Sequence, residues 1–211
     1  MKQIRSFAIL FPLLTVSFFS SAQKYDSLLT ERLNLFGPIQ FQNKTYNLLR
    51  TSYSPDSATY NVYTQEYLPI VEGAVDTFKN MIIVNVYTGA YSLEDIANAK
   101  LDELRELQRE NPAVNWQTFN NKKTGEFMID FLITENSPDG QYIDMAERST
   151  YRFVTVIDKA GKECGLLFAV VVRSYGDDVD AFMTTFKTKA RGDLIRAVGT
   201  YKIPEITVAA K

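Results

Sequence analysis

The chain has 211 residues, with 23 basic and 25 acidic side chains and a hydrophobic fraction of 45%. This length and composition predict one globular domain with a sizeable core, and the acidic balance argues against nucleic-acid binding, which needs clustered Lys and Arg. The sequence has no histidine and a single cysteine, Cys164. Ser-His-Asp and Cys-His nucleophile systems, imidazole-bound metal sites and an internal disulfide are therefore excluded.

The first 22 residues have the organisation of a secretory signal peptide. Lys2 and Arg5 precede an apolar run at 7–19, and small residues at 20–22 predict cleavage between Ala22 and Gln23. The apolar run is too short to span a bilayer, so we expect no membrane insertion after cleavage. The mature protein is then expected in the periplasm or outside the cell. An uncleaved anchor is the alternative.

Strand-like stretches dominate the chain after a leading segment at 23–38, which Gly37-Pro38 ends. Runs rich in β-branched and aromatic residues, separated by turn residues, indicate seven strands. Two longer loops, at 68–77 and 136–148, are expected to carry function. The predicted strands are Thr45–Ser52, Ala58–Tyr67, Met81–Tyr87, Asn115–Asn120, Glu126–Glu135, Ser149–Asp158 and Cys164–Ser174.

Two helices are predicted among these strands. The first begins after Ser92, an N-cap residue with Asp95 three positions later, and Asn111-Pro112 ends it. The second runs from about Asp178 to Tyr201, with Asp177 as its N-cap. The apolar positions of the first helix share one face, as in a helix that covers a sheet: Leu93, Ile96, Ala97, Leu101, Leu104 and Leu107.

This order predicts an α+β fold. Strands joined by tight turns are antiparallel, and helices with one apolar stripe cover a sheet. The apolar run that Cys164 begins indicates a strand buried on both faces and a buried, inert thiol, with a reactive thiol as the alternative. We therefore predict an α/β/α sandwich around six or seven antiparallel strands at 39–203, followed by a tail at 204–211.

The stretch from Tyr60 to Pro69 leads into a loop containing Glu72-Gly73, then into the stretch from Phe78 to Val84 and the capped helix. This succession resembles exported bacterial proteins with the fold of PsbP, the extrinsic subunit of photosystem II. The resemblance covers about residues 39–203. It implies a PsbP-like α/β/α sandwich that binds partners or small ligands without catalysis, and it carries over no catalytic residue and no cofactor.

Aromatic side chains are the first candidates for binding. Tyr63 and Tyr67 share one face of their predicted strand and lead into the loop at 68–77, and Trp116 lies on a later strand. Aromatic residues on strands mostly pack in the core, but an exposed one would contact a sugar, a peptide or a partner protein.

Charged side chains inside apolar strands are the second candidates. Asp130, Arg152 and Arg173 each lie in such a strand, where an isolated charge is costly. One interpretation is a structural ion pair between Asp130 and Arg152. The other is a small anion-binding pocket that uses Arg152 and Arg173.

Acidic residues offer two further possibilities. Asp177, Asp178 and Asp180 lack the spacing of a calcium loop and are interpreted as helix-start residues, so no metal and no other cofactor is predicted. Carboxylate catalysis would need two opposed acids. The candidates for it are Glu66, Glu72, Asp130 and Glu135.

Three functional hypotheses follow. The first is an exported, non-catalytic domain of the bacterial envelope that recognises a partner protein or small ligand through strand edges and the two long loops. The second is a histidine-independent, carboxylate-based hydrolase acting on an envelope polymer. The third is a structural subunit of an envelope assembly.

Overall fold

The computed structural model describes residues 32–54, 60–69 and 77–208. The predicted signal peptide and most of the predicted loop at 68–77 fall outside these described residues. The same holds for residues 23–31, 55–59 and 209–211.

One antiparallel sheet of eight strands organises the described part of the chain. Its spatial order is β1-β2-β3-β4-β8-β7-β6-β5, so β1 and β5 are the two edges. The strands are β1 Ile39–Phe41, β2 Lys44–Ser54, β3 Tyr60–Pro69, β4 Asn80–Gly89, β5 Asn115–Asn121, β6 Glu126–Asn136, β7 Ile143–Ile157 and β8 Glu163–Tyr175.

The antiparallel α+β arrangement is confirmed, but the predicted count of six or seven strands is wrong. The additional strand is β1, which has three residues and pairs with the start of β2. A turn at Gln42 and Asn43, both with positive φ, joins the two strands. Three residues are too few to establish an alternating pattern in a sequence, so only the pairing makes this strand visible.

The predicted loop at 136–148 is shorter in the structure, because β7 begins at Ile143. Glu147 and Arg148 gave this stretch the polar composition of a loop. Both side chains are buried in the folded protein and form ion pairs. Pairing offsets the cost of burying the two charges, so the strand can continue through both residues.

The first helix forms as predicted. α1 spans Leu93–Glu110, and the hydroxyl of its N-cap Ser92 accepts a hydrogen bond from the Asp95 amide at 3.1 Å. This bond satisfies one of the amide groups that the start of a helix leaves without a partner. Four positions of the predicted apolar face are buried: Ile96, Ala97, Leu101 and Leu104.

The single closing helix is a wrong prediction. A short 3-10 turn at Gly176–Asp178 precedes α2 at Val179–Phe186, and α3 follows at Lys189–Thr200. The Thr188 hydroxyl donates to the Thr185 carbonyl at 2.6 Å, and Thr188 has extended backbone angles. Threonine side chains compete with the helical ladder in this way. Asp177 is not an N-cap, and Asp178, which takes that place, makes no side-chain capping bond.

Helices cover both faces of the sheet. Successive side chains of β8 alternate between them: Leu166, Phe168 and Val170 pack with residues of α3, whereas Leu167 and Ala169 pack with residues of α1. We call these surfaces the α3 face and the α1 face. The predicted burial of β8 on both faces is thus confirmed, and Cys164 is buried.

The aromatic centre of the α3 face joins distant parts of the chain. Phe168 stacks on Tyr201, which follows α3, with ring centroids 4.6 Å apart, and Phe41 of β1 packs edge-on against Tyr201.

None of the helices α1–α3 has the length and apolar composition needed to cross a membrane.

Candidate functional site

A cluster of charged side chains lies on the α3 face, where β5, β6 and β7 run side by side. The strand register places Asp130 of β6 opposite Gln117 of β5 and opposite Thr150 of β7. Residues directly opposite in an antiparallel pair share a face, so all three side chains point toward α3. Together with Arg148 of β7 and Arg191 of α3 they form what we call the arginine cluster.

Asp130 is the centre of this cluster and has no exposed surface. Its Oδ2 accepts hydrogen bonds from Arg148 Nη2 and from Arg191 Nε, both at 2.7 Å. Its Oδ1 accepts a bond from the Thr150 hydroxyl at 3.0 Å. Arg191 continues outward and donates from Nη2 to Gln117 Oε1 at 3.2 Å. A chain of hydrogen bonds therefore connects the buried carboxylate to the edge strand β5.

The arginine cluster contains more positive than negative charge. Two guanidinium groups share the single carboxylate of Asp130, and guanidinium groups stay protonated in proteins. The side chain of Arg148 is only 4% exposed, and its Nε has no hydrogen-bond partner among the described residues. Burial lowers the pKa of Arg148; the Asp130 charge opposes this effect, and the Arg191 charge adds to it. The arrangement therefore favours the binding of an additional anion.

Arg191 is the charged member of the cluster that solvent reaches. Its side chain is 30% exposed, in contrast to the buried side chains of Arg148 and Asp130. A guanidinium has five N–H donors in a planar fork, and the structure uses two of its nitrogens for Asp130 and Gln117. The remaining donors can bind a carboxylate or phosphate oxygen from outside.

The predicted pairing of Asp130 with Arg152 is wrong. Arg152 donates instead to Glu126 at 2.9 Å and to the backbone carbonyl of Tyr201 at 2.8 Å. Arg148 and Arg152 flank Thr150, so they are the two diagonal neighbours of Asp130 across the same strand pair. Sequence spacing does not distinguish the two diagonals. The position of α3 does, because its C-terminal carbonyls bind Arg152.

The predicted pocket of Arg152 and Arg173 is also wrong, because the two side chains lie on opposite faces of the sheet. Arg152 is in register with Phe168 of the α3 face, whereas Arg173 is in register with Glu147. Arg173 donates from Nε to Glu147 Oε2 at 2.6 Å, and its guanidinium lies 4.2 Å from the centre of the Phe78 ring. Arg173 is therefore paired with Glu147 within the fold and does not form a pocket with Arg152.

None of the three aromatic candidates is a member of the arginine cluster. Tyr63 and Tyr67 are buried, and the Tyr67 hydroxyl donates to the Leu35 carbonyl at 2.6 Å. Tyr63 packs against Tyr53 with ring centroids 5.0 Å apart. Trp116 is half-buried on the α1 face, on the edge strand β5. Of these side chains, only Trp116 is near a surface where a partner could bind.

Arg148 and Arg191 were missed by the sequence reasoning. Arg148 fell within a predicted loop, and Arg191 has the surroundings of an ordinary surface helix residue. One signal was available for Arg148: it is an even number of residues from Arg152, so a continuous strand places both on one face. No local signal connects Arg191 to Asp130, which is 61 positions away.

The acidic candidates are not opposed across a cleft. Glu66 lies on the α1 face and pairs with Arg50 at 2.6 Å, whereas Asp130 lies on the α3 face. Glu135 is exposed at the end of β6, and Glu72 falls outside the described residues. Within the described ranges, no group of three or more acidic or cysteine side chains could hold a metal ion. Asp178 instead pairs with Lys79 at 3.2 Å.

An open groove of about 400 Å³ borders β5 on the α1 face. Glu94 and Asn98 of α1 line the groove, together with Asn120 of β5 and Lys122 of the turn that follows β5. The groove is polar and contains one side chain of each charge. It gives the edge strand a recess on the side opposite the arginine cluster.

Comparison with known proteins places most of the chain in one protein family. A protein-family model matches residues 33–203, well over half of the chain. The chain belongs to that family. The match covers all eight strands and three helices of this family member, including every residue of the arginine cluster. No curated protein and no solved structure matches the chain.

Proposed function

We propose that this family member is a non-catalytic binding domain that recognises an anionic ligand or partner through Arg191 and the arginine cluster behind it. The observation that carries the proposal is the excess of positive charge around a buried carboxylate: Arg148 and Arg191 share Asp130, and Arg148 Nε has no hydrogen-bond partner in the described part of the chain. A buried charge without a counter-ion is costly, so binding an anion there is favourable.

The chemistry suits a carboxylate or a phosphate group. Arg191 offers outward N–H donors in a plane, which is the geometry that these groups accept. The buried Asp130 holds that guanidinium in place from behind, so little side-chain freedom remains to be lost when the anion binds. A hydrolase lacks comparable support, because Glu66 and Asp130 are neutralised by arginines on opposite faces.

Two further parts of the proposal come from the sequence. Export to the periplasm or the exterior rests on the signal-peptide pattern of residues 1–22. A PsbP-like sandwich remains a proposal as well, and the helices on both sheet faces are consistent with it. A fold alone implies no function, so the binding proposal depends on the arginine cluster.

Arginine side-chain NMR tests this function. We would titrate the ¹⁵N-labelled mature protein, residues 23–211, with succinate and then with inorganic phosphate at constant ionic strength, and follow the Nε–H signals. We expect saturable shifts of the Arg191 and Arg148 signals, with a dissociation constant of about 1 mM for such small probes.

The matched variants are Arg191→Gln and Arg196→Gln. Both residues lie on α3, but Arg196 is exposed and, within the described residues, forms its ion pair with Asp193 of its own helix. Arg196→Gln should bind as the unchanged protein does, and Arg191→Gln should lose the saturable response. Linear shifts of similar size at every exposed arginine would overturn the proposal.

A further inference from the structure

The two edges of the sheet differ in how they are protected against pairing with another chain. At the β1 side the edge strand has three residues, and the next strand, β2, has a register irregularity and the charged Arg50. Bulges, charges and very short strands are the usual devices that prevent strand addition. The β1 side of the sheet therefore has all three of these protective devices.

The β5 edge has none of these devices. Its seven residues, Asn115–Asn121, include no proline and no charged side chain, and they pair with β6 in an unbroken register. Most of these residues are exposed, and no strand within the described ranges pairs with the outer side of β5. The outward backbone groups of β5 are thus available to an extended segment.

Positive side chains outnumber acidic ones around this edge, where Glu94 lines the groove, although the whole chain has a net charge of −2. Gln117 of β5 accepts a hydrogen bond from Arg191, which brings the net positive arginine cluster to the edge. Lys122 and Lys123 follow directly in the exposed turn to β6. Glu126, the nearest acid in that hairpin, is already paired with Arg152. An acidic partner is complementary to this distribution.

We propose that an extended, acidic segment of a partner protein binds by adding a strand to β5, with one carboxylate directed to Arg191. The inference rests on the proposed function, because it uses the same arginine as the anion-binding group. Side chains of an added strand alternate between the two sheet faces. One set would meet Arg191 on the α3 face, and the other would meet Trp116 and the groove beside Asn120.

A nine-residue synthetic peptide tests the inference. Thr and Val alternate along it, its ends are acetylated and amidated, and Glu occupies the central Thr position. Three further probes are the same peptide with Gln in place of Glu, the Glu peptide N-methylated at every Val, and the Glu peptide N-methylated at every Thr and at Glu. N-methylation removes the backbone donors along one edge of the peptide and leaves its charge unchanged.

We expect the Glu peptide to slow amide hydrogen exchange in β5 and to shift the Arg191 Nε–H signal. The Gln peptide should bind at least tenfold more weakly, and at least one N-methylated version should lose tenfold or more. The Arg191→Gln variant should reduce the preference for Glu over Gln, whereas Arg196→Gln should retain it.

The outcomes separate this inference from the proposed function. Strand addition would be overturned if both N-methylated peptides bind as tightly as the unmethylated Glu peptide. It would also be overturned if no peptide binds while succinate still shifts the Arg191 signal. Either result would leave anion binding intact. No response to either succinate or peptide would overturn both. If β5 amides are protected without peptide and sedimentation shows a concentration-dependent dimer, a second copy occupies the edge and the acidic-partner inference fails.

Discussion

Arg148 donates from Nη2 to Oδ2 of Asp130 across 2.7 Å, in a place where neither side chain has more than 4% of its surface exposed. The pair is not isolated, because Arg191 binds the same oxygen, and the three side chains together carry more positive than negative charge. Asp130 therefore holds two arginines, and its removal would leave both cations without their common partner. This relationship makes Asp130 important for stability as well as for the proposed binding.

The Asp130→Asn substitution should lower the free energy of unfolding by about 3–5 kcal/mol, since breaking a buried ion pair from one side leaves an uncompensated charge. Urea denaturation followed by circular dichroism measures the change. Asp144→Asn is the control, because Asp144 is exposed on β7, and it should change stability by less than about 0.5 kcal/mol. A loss below about 1 kcal/mol in Asp130→Asn would mean that the arginines do not depend on this carboxylate.

The stacked rings of Phe168 and Tyr201 connect the centre of the sheet to the end of α3. Phe168→Ala should cost about 3–5 kcal/mol, because the ring is fully buried and its removal leaves a cavity. Ile157→Ala, at a side chain that is 64% exposed, should be nearly neutral. Comparable denaturation midpoints for the two variants would contradict the packing described for the α3 face.

Two glycines should respond to alanine in opposite directions. A Cβ at Gly165 would lie 2.7 Å from Cε2 of Tyr91 and 2.8 Å from Cδ2 of Leu93, so Gly165→Ala should destabilise by about 1–3 kcal/mol. A Cβ at Gly192 would meet nothing within 4 Å, and this residue lies within α3. Gly192→Ala should stabilise by about 0.5–1 kcal/mol, as measured by thermal unfolding. The same sign for both variants would refute this expectation.

Stability should fall as the pH rises above about 8.5. Burial raises the pKa of Cys164 and of Tyr151, Tyr91 and Tyr201, whereas in the unfolded chain thiols ionise near pH 8.5 and phenols near 10. Above these values the unfolded chain binds fewer protons than the folded protein, so alkali favours unfolding. This contribution to stability is fully present below about pH 8.5.

Tyr151 allows the alkaline effect to be isolated. Urea denaturation between pH 9 and 11 should give a shallower loss of stability in Tyr151→Phe than in the unchanged protein. Tyr142→Phe provides the comparison, since Tyr142 is 58% exposed in the turn before β7. An identical pH slope in all three proteins would show that Tyr151 ionises in the folded state as readily as in the unfolded chain.

Local patterns in the sequence were sufficient for much of the fold. The apolar spacing and N-cap of α1, the burial of β8 on both faces and the buried Cys164 follow from periodicity and burial preferences alone. β1 was too short to leave such a pattern. The division between α2 and α3 depends on the local hydrogen bond between Thr188 and Thr185, which helical periodicity does not reveal.

The sequence by itself determined that Asp130, Arg152 and Arg173 lie in strands and must be paired if buried. Only the tertiary structure decided the partners. Strand alternation separates Arg152 from Arg173 onto opposite faces, and the approach of α3 brings Arg191 to Asp130 from 61 positions away. Secondary structure is encoded by neighbours a few residues apart, whereas a charge cluster depends on register and helix placement, which the packing of the whole chain determines.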